Sequence, residues 1–265
     1  MEREASAERE EIVMKRHRIV VAFVAMVVVL AHARDGAADQ LVVLCSNGLK
    51  AVLDDLIPKF EKATKHTVAA KYGLAAVLEQ RIEGGEAFDV AFLTPAAIDN
   101  LIAHGKISAS TRATIARSGL ALAVKAGTPK RDVSTADAFK KTLLSAKSIA
   151  YAKQGASGVA FAALIQRLGI ADQLKAKSRL TATGEEVSAG VVSGEIELGV
   201  LPLSEILPVK GEEVLAVFPS EVQSYIVMVG GVSAASTHAS AGRELIAYVT
   251  APAALTVIKA KGMEK

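Results

Sequence analysis

The chain contains one cysteine, no tryptophan, and only seven phenylalanines and four tyrosines among 265 residues. A lone cysteine excludes an internal disulfide, so an oxidising compartment is tolerated rather than exploited. Lysines and arginines are not clustered, and aromatic residues are not interleaved with them, so the pattern of a nucleic-acid surface is missing. His66, His104 and His238 stand in turn or helix-end contexts without the spacing of metal ligands. There is no G-x-S-x-G elbow, no Walker loop and no dinucleotide fingerprint. The one glycine pattern, GASG at 155–158, reads better as a helix start that cradles an anion than as a nucleophile elbow. Internal repeats and low-complexity linkers are absent as well. No cofactor and no catalytic constellation are implied.

What is present begins with an export signal. Lys15, Arg16, His17 and Arg18 precede the uncharged run IVVAFVAMVVVLAHA, which ends in small residues at the positions a signal peptidase reads. The run is short for a membrane span, and a polar stretch follows it at once. Residues 1–38 are therefore assigned to a signal peptide cleaved after Ala33 or Ala38, with Met14 as a candidate initiator. Residues 1–33 hold equal numbers of basic and acidic side chains, so the net charge of +3 survives their removal. A mildly basic chain admits small anions as ligands. Cys45 follows Leu44 well beyond the apolar core of the signal, so a buried strand thiol is expected rather than a lipid anchor.

The mature part alternates strands and helices. LVVLCS is a continuous apolar run with β-branched residues, the pattern of a strand covered on both faces. Leu49, Val52, Leu53, Leu56, Ile57 and Phe60 then recur at spacings of three and four, the stripe of an amphipathic helix. Between them lie Ser46, Asn47 and Gly48, which can cap the helix or help hold an anion at its positive end. Strands follow at Thr67–Tyr72, FDVAFL and GLALAV, with helices at Ala75–Glu83 and from Thr94-Pro95 to Gly105. The alternation restarts with helices near Ser134–Ser145, Val159–Leu168 and Glu185–Ser193 and with strands at SIAYA, Arg179–Thr181 and ELGVLPL. SYIVMVG is the last strand, and two helices close the chain. Such units, joined by short connections, predict mostly parallel sheets with helices on both faces. The chain is expected to cross between two lobes near Gly119–Lys125 and near Val222–Val229.

The order of LCSNGLKAVLDDLIPKF, EGGEAFDVAFLTPAAIDNLIAHGKI, GASGVAFAALIQRLGI, GEIELGVLPLSEILPVKGEEV and IKAKGM resembles the extracellular solute-binding proteins of ABC transporters, in the branch related to molybdate-binding proteins. The resemblance covers residues 40 to 265. It implies an α/β type II periplasmic-binding fold of two lobes, each a mostly parallel sheet flanked by helices, with a ligand cleft between them and closure by hinge motion. Lobe 1 would comprise 39–120 plus 226–265 and lobe 2 would comprise 121–225. It further implies a periplasmic monomer whose partners are a small anion and an ABC permease in the inner membrane, with no nucleic acid involved. Ser46 matches the family's serine after the first strand, Ser157 with Gly158 matches a helix start offering backbone N–H, and Val187 matches another backbone donor.

Two donors of the molybdate binders are missing. A hydroxyl-bearing stretch is replaced by LAAV with Ala75 and Ala76, and a late tyrosine is replaced around Pro202. An oxyanion is held by saturating its oxygens with neutral donors, so this loss favours a small organic carboxylate over molybdate. Beside the carried-over positions, Arg117 and Ser118 precede the first crossover, and an Arg fork matches a carboxylate. A solvated surface charge is the equal alternative for Arg117. Ser204 and Glu205 follow a strand end, where open α/β sheets bind ligands, although a surface turn is the expectation there. Thr94 is expected only to cap its helix. The reading is a non-enzymatic binding protein; the alternatives are an exported enzyme or a sensor module on the same fold.

Overall fold

The computed structural model describes residues 38–265, so the signal segment, its cleavage after Ala33 and the start at Met14 lie outside the described residues. The first strand, β1 (Gln40–Ser46), pairs in parallel with β2 (Thr67–Gly73) on one side and β3 (Val90–Leu93) on the other. Leu41, Val43 and Cys45 turn to one face, under α1 (Asn47–Thr64), and Leu44 turns to the other, against α2 (Ala75–Glu83) and α3 (Pro95–Ala103). A strand covered on both faces has no place for a polar side chain, which is why its sequence is continuously apolar. Cys45 is fully buried, and burial pushes its thiol up from the usual range, as a structural cysteine requires.

The predicted stripe of the first helix is the buried one: Leu49, Val52, Leu53, Leu56 and Phe60 all face the core. Next comes β4 (Ala113–Lys125), thirteen residues long. The second half of the chain adds α4 (Ala136–Ser145), β5 (Ile149–Ala152), α5 (Ala156–Arg167), α6 (Ala171–Lys175) and β6 (Ser178–Thr181). These are followed by α7 (Gly184–Ser193), β7 (Leu198–Pro202), α8 (Leu203–Ile206), β8 (Glu212–Val217) and β9 (Tyr225–Val232). Helices α9 (Ala239–Thr250) and α10 (Leu255–Ala260) complete the chain.

The strands run in the order β2-β1-β3-β9-β4-β7-β5-β6, with β8 also on β4. Pairing is parallel on both flanks, β2-β1-β3 and β7-β5-β6, and antiparallel through the middle. The centre is antiparallel because β4 runs from one half into the other and the chain returns in the segment before β9. Residues Ala113–Gly119 of β4 pair with β9, while Leu120–Lys125 pair with β7 and β8. One strand thus belongs to both halves of the α/β architecture, as expected of a two-lobed fold. In the second half Ala121 and Ala123 face α7, where small residues let Val187 and Val191 pack close. The short β8 and α8 fall in a stretch that the sequence pattern left without elements.

Candidate functional site

A cavity of about 350 Å3 lies where the strand ends of the two halves meet. Its walls are strand-to-helix junctions. Ser46 and Asn47 come from β1–α1, Leu74 and Ala75 from β2–α2, and Thr94 from β3–α3. Gly155 and Ser157 come from β5–α5, Gly184 from the start of α7, and Pro202 with Glu205 from β7–α8. Ile226 and Met228 of β9 close the floor. Strand C-terminal ends collect ligands in open α/β sheets because helix N-termini, with their unpaired N–H groups and partial positive charge, gather there.

The junctions at the cavity are locally incomplete. Ser46, Leu74, Thr94 and Gly155 occupy the N-cap positions of α1, α2, α3 and α5, and none of them makes a side-chain cap hydrogen bond. The capping reading of Ser46 and Thr94 therefore fails: both residues line the cavity, and neither hydroxyl bonds back to the first turn. Ser157 stands at the second position of α5, 6% exposed and facing the same space. Gly158 beside it answers to packing. A Cβ there would lie 1.9 Å from the carbonyl oxygen of Ala152, so only glycine lets α5 start this close to the end of β5.

Arg117 is elsewhere. An antiparallel bridge sets it opposite Glu264, with backbone hydrogen bonds of 2.7 and 2.9 Å in the two directions. Directly opposed side chains on paired strands meet, so the guanidinium is 2.9 Å from the Glu264 carboxylate and lies over the Tyr225 ring at 4.3 Å. It is partnered on the surface and does not line the cavity. The expectation that Arg117 charges the cleft is corrected by this pairing, since the C-terminal segment claims it.

Ser118, Ser204 and Val187 also fall outside the cavity wall. The Ser118 hydroxyl donates to the Gly262 carbonyl and accepts from the Ser204 N–H, each at 3.0 Å. The Ser204 hydroxyl donates to the Gly48 carbonyl at 2.9 Å. This chain of bonds ties α8 to α1 and to the C-terminal segment, so both serines act as scaffold. Val187 is a core residue on the buried face of α7, its methyl about 3.0 Å from where a Cβ on Gly199 would stand.

Glu205, expected on a surface turn, is the residue that sequence reasoning misjudged most. Its carboxyl lies against the N-terminal turns of two helices: Oε2 would be 2.3 Å from a Cβ at Gly184 and Oε1 would be 3.7 Å from one at Gly48. Desolvation, with Glu185 and Glu212 nearby, pushes its carboxyl up to about 7. Glu205 is the only charged side chain of the cavity lining; among the described residues no basic one is there. Asn47, in the same first turn of α1, donates to Glu185 Oε1 at 2.9 Å and so joins the start of α1 to the start of α7. The nearby Glu212 is buried, accepts from the Ser188 hydroxyl at 2.9 Å, and is likewise pushed up to about 7 by desolvation. Among the described residues no His, Cys, Asp or Glu cluster could hold a metal ion.

Residues 41–264 match the family of bacterial extracellular solute-binding proteins. The chain belongs to that family. An aconitate isomerase of a Pseudomonas species is 33% identical over 230 residues, covering 84% of this chain and 87% of that protein. Among solved structures, the periplasmic molybdate-binding protein of Azotobacter vinelandii aligns with a TM-score of 0.73 at 20% identity, over 85% of this chain and 99% of that one. The sulfate-binding protein SubI of Mycobacterium tuberculosis aligns with a TM-score of 0.70 at 16% identity, over 85% and 86%. These structural likenesses establish the periplasmic-binding fold of this solute-binding protein. No helix of its described residues is long and apolar enough to cross a membrane.

Proposed function

We propose that the protein captures a small, multiply charged organic carboxylate in the cavity and presents it to an ABC permease in the inner membrane, working as a periplasmic monomer. The observation that carries this reading is that the starts of α1, α3 and α5, without side-chain caps, open onto a cavity that has no basic side chain among the described residues. Neutral N–H and hydroxyl donors fixed in the fold meet negative charge with little loss of conformational freedom. A cavity of about 350 Å3 is at the small end of the range of roughly 300–1,000 Å3 for ligand sites. The curated relative acts, by its name, on aconitate, a tricarboxylate. Lobes 39–120 plus 226–265 and 121–225 would rotate together about β4 and the segment before β9. Native mass spectrometry of freshly purified protein, followed by calorimetry with citrate, trans-aconitate, sulfate and molybdate, tests the ligand class. Tight binding of molybdate or sulfate alone would remove the carboxylate reading.

A second reading is favoured by Glu205. A carboxyl poised near neutrality beside a bound unsaturated carboxylate can carry out an allylic proton shift. The carboxylate takes a proton from the methylene carbon of aconitate, and the C–H electron pair becomes a new double bond. The old double bond opens, and the proton returns to its far carbon. No electrons are lost or gained, and the trans isomer leaves as the cis. Proton NMR of trans-aconitate incubated with the protein should show the cis isomer, and Glu205→Gln should abolish it. Saturated protein that never converts its ligand would leave transport binding as the whole role.

A further inference from the structure

The cavity contains a contradiction in charge. Its helix starts favour an anion, yet among the described residues its only charged side chain is an acid. Glu205 cannot move out of the way with α8, because Ser204 and Ser118 pin that turn to Gly48 and Gly262. Neither carboxyl oxygen has a hydrogen-bond or ion-pair partner among the described residues.

The surrounding charges do not resolve the contradiction. From α1, Lys50 is taken by Asp54 at 2.5 Å; after α10, Lys261 is taken by Asp55 at 3.2 Å. Lys210, between α8 and β8, lines a neighbouring cavity of about 590 Å3 that shares Glu205 as a wall. From α7 and β8 come only further acids, Glu185 and Glu212. Strand β7 brings no charged side chain, and the two cations of β4 are turned elsewhere, Arg117 to Glu264 and Lys125 to the Ser193 carbonyl. An ionised Glu205 would repel the anion that the helix starts around the cavity invite.

Resting on the reading that the cavity binds an anion without converting it, we propose that Glu205 is its ligand-selecting residue: it carries a proton when the ligand is bound and donates it in a hydrogen bond to a ligand oxygen. The protein then takes up one anion together with one proton. An O–H donor replaces a repelling charge, and the bond reaches an acceptor that backbone N–H groups on the other walls leave unserved. Glu205 thereby selects ligands that keep an ionised oxygen at that wall and rejects ligands that place a hydroxyl or an ammonium group there. The position of the carboxyl near neutrality lets protonation and release occur at ordinary pH.

Fumarate and sulfate are suitable probes because both stay fully ionised from pH 5.5 to 8.5. Calorimetry in two buffers of different ionisation enthalpy reads affinity and proton uptake together. For the wild type, affinity should fall ~10-fold per pH unit above about 7, and uptake should approach one proton per ligand at pH 8.5. Glu205→Gln, which fixes the neutral form, should remove the uptake and the pH dependence and bind ~10-fold or more tighter than the wild type at pH 8.5. Wild-type binding that does not change with pH, or that tightens as pH rises, overturns the proposal while leaving the anion-binding reading intact. A ligand-free arm separates the two further. Glu205 holds its proton more firmly folded than unfolded, so its contribution to stability is present below about 4.5 and lost as pH rises through about 7. Melting temperatures should therefore favour Glu205→Gln over the wild type more at pH 8.5 than at pH 5.5, and an equal difference at both overturns the proposal even if neither probe binds.

Discussion

The start of α4 and the start of α1 are chemically alike and structurally opposite. At α4, Thr135 accepts a hydrogen bond from the Ala138 N–H at 3.1 Å, and Thr183 does the same at α7 for the Glu186 N–H at 3.2 Å. At α1, α3 and α5 the N-cap residues Ser46, Thr94 and Gly155 leave the first turn open. A threonine that closes its own helix end serves stability; a serine or threonine that does not, and faces a cavity, is available to a ligand. The difference lies in direction, since Ser46 and Thr94 carry hydroxyls as Thr135 and Thr183 do yet leave the first turn open, and the open starts gather around the cavity beside the capped start of α7.

The comparison can be broken most severely at Gly158. Gly158→Ala drives a methyl into the Ala152 carbonyl, a backbone atom that cannot yield, so about 3 kcal/mol of stability should go, together with ligand binding. Chemical denaturation and calorimetry read both losses; a variant as stable as the wild type would mean that α5 can start elsewhere. The next test sharpens the contrast from the capped side. Thr135→Ala should lower the unfolding free energy by about 1 kcal/mol and leave ligand affinity unchanged.

Ser46→Ala and Ser157→Ala are the converse. Each should weaken binding by about 1 kcal/mol, the value of one hydrogen bond, while moving stability by less than about 0.5 kcal/mol. A drop in melting temperature as large as that of Thr135→Ala would show Ser46 to be a cap after all. The smallest effect is expected at Arg117. Its pair with Glu264 is half exposed on both sides, so Arg117→Ala should cost under about 1 kcal/mol of stability and nothing in affinity. A loss of binding there would return the arginine to the cleft.

Much of the frame was legible. The change of period at Ser46 marks the β1–α1 junction in the sequence, and the junction is indeed part of the cavity wall. Gly158 reads as part of an anion cradle, whereas the structure gives it a packing reason. Ser118 and Ser204 carried the right chemistry with the wrong partner, because hydroxyls that look like ligand donors bond to Gly262 and Gly48 instead. Glu205 was hidden because a short polar turn after a strand looks the same whether it faces water or a cleft.

The sequence alone determined the longer elements, the continuously apolar strands and the places where strand gives way to helix, but not the short α6, α8 and β8. These follow from backbone periods of two and 3.6 residues, which act over a few neighbours and leave their mark in any window of the chain. Only the tertiary structure decided which junctions open onto the cavity and which polar groups are already taken. Arg117 is spoken for by Glu264, 147 residues away, Asn47 bonds to Glu185 across 138, and Ser204 bonds to Gly48 across 156. Such pairings are set by the way β4 and the segment before β9 carry the chain between the halves, and a contact made by that crossing has no local period to announce it.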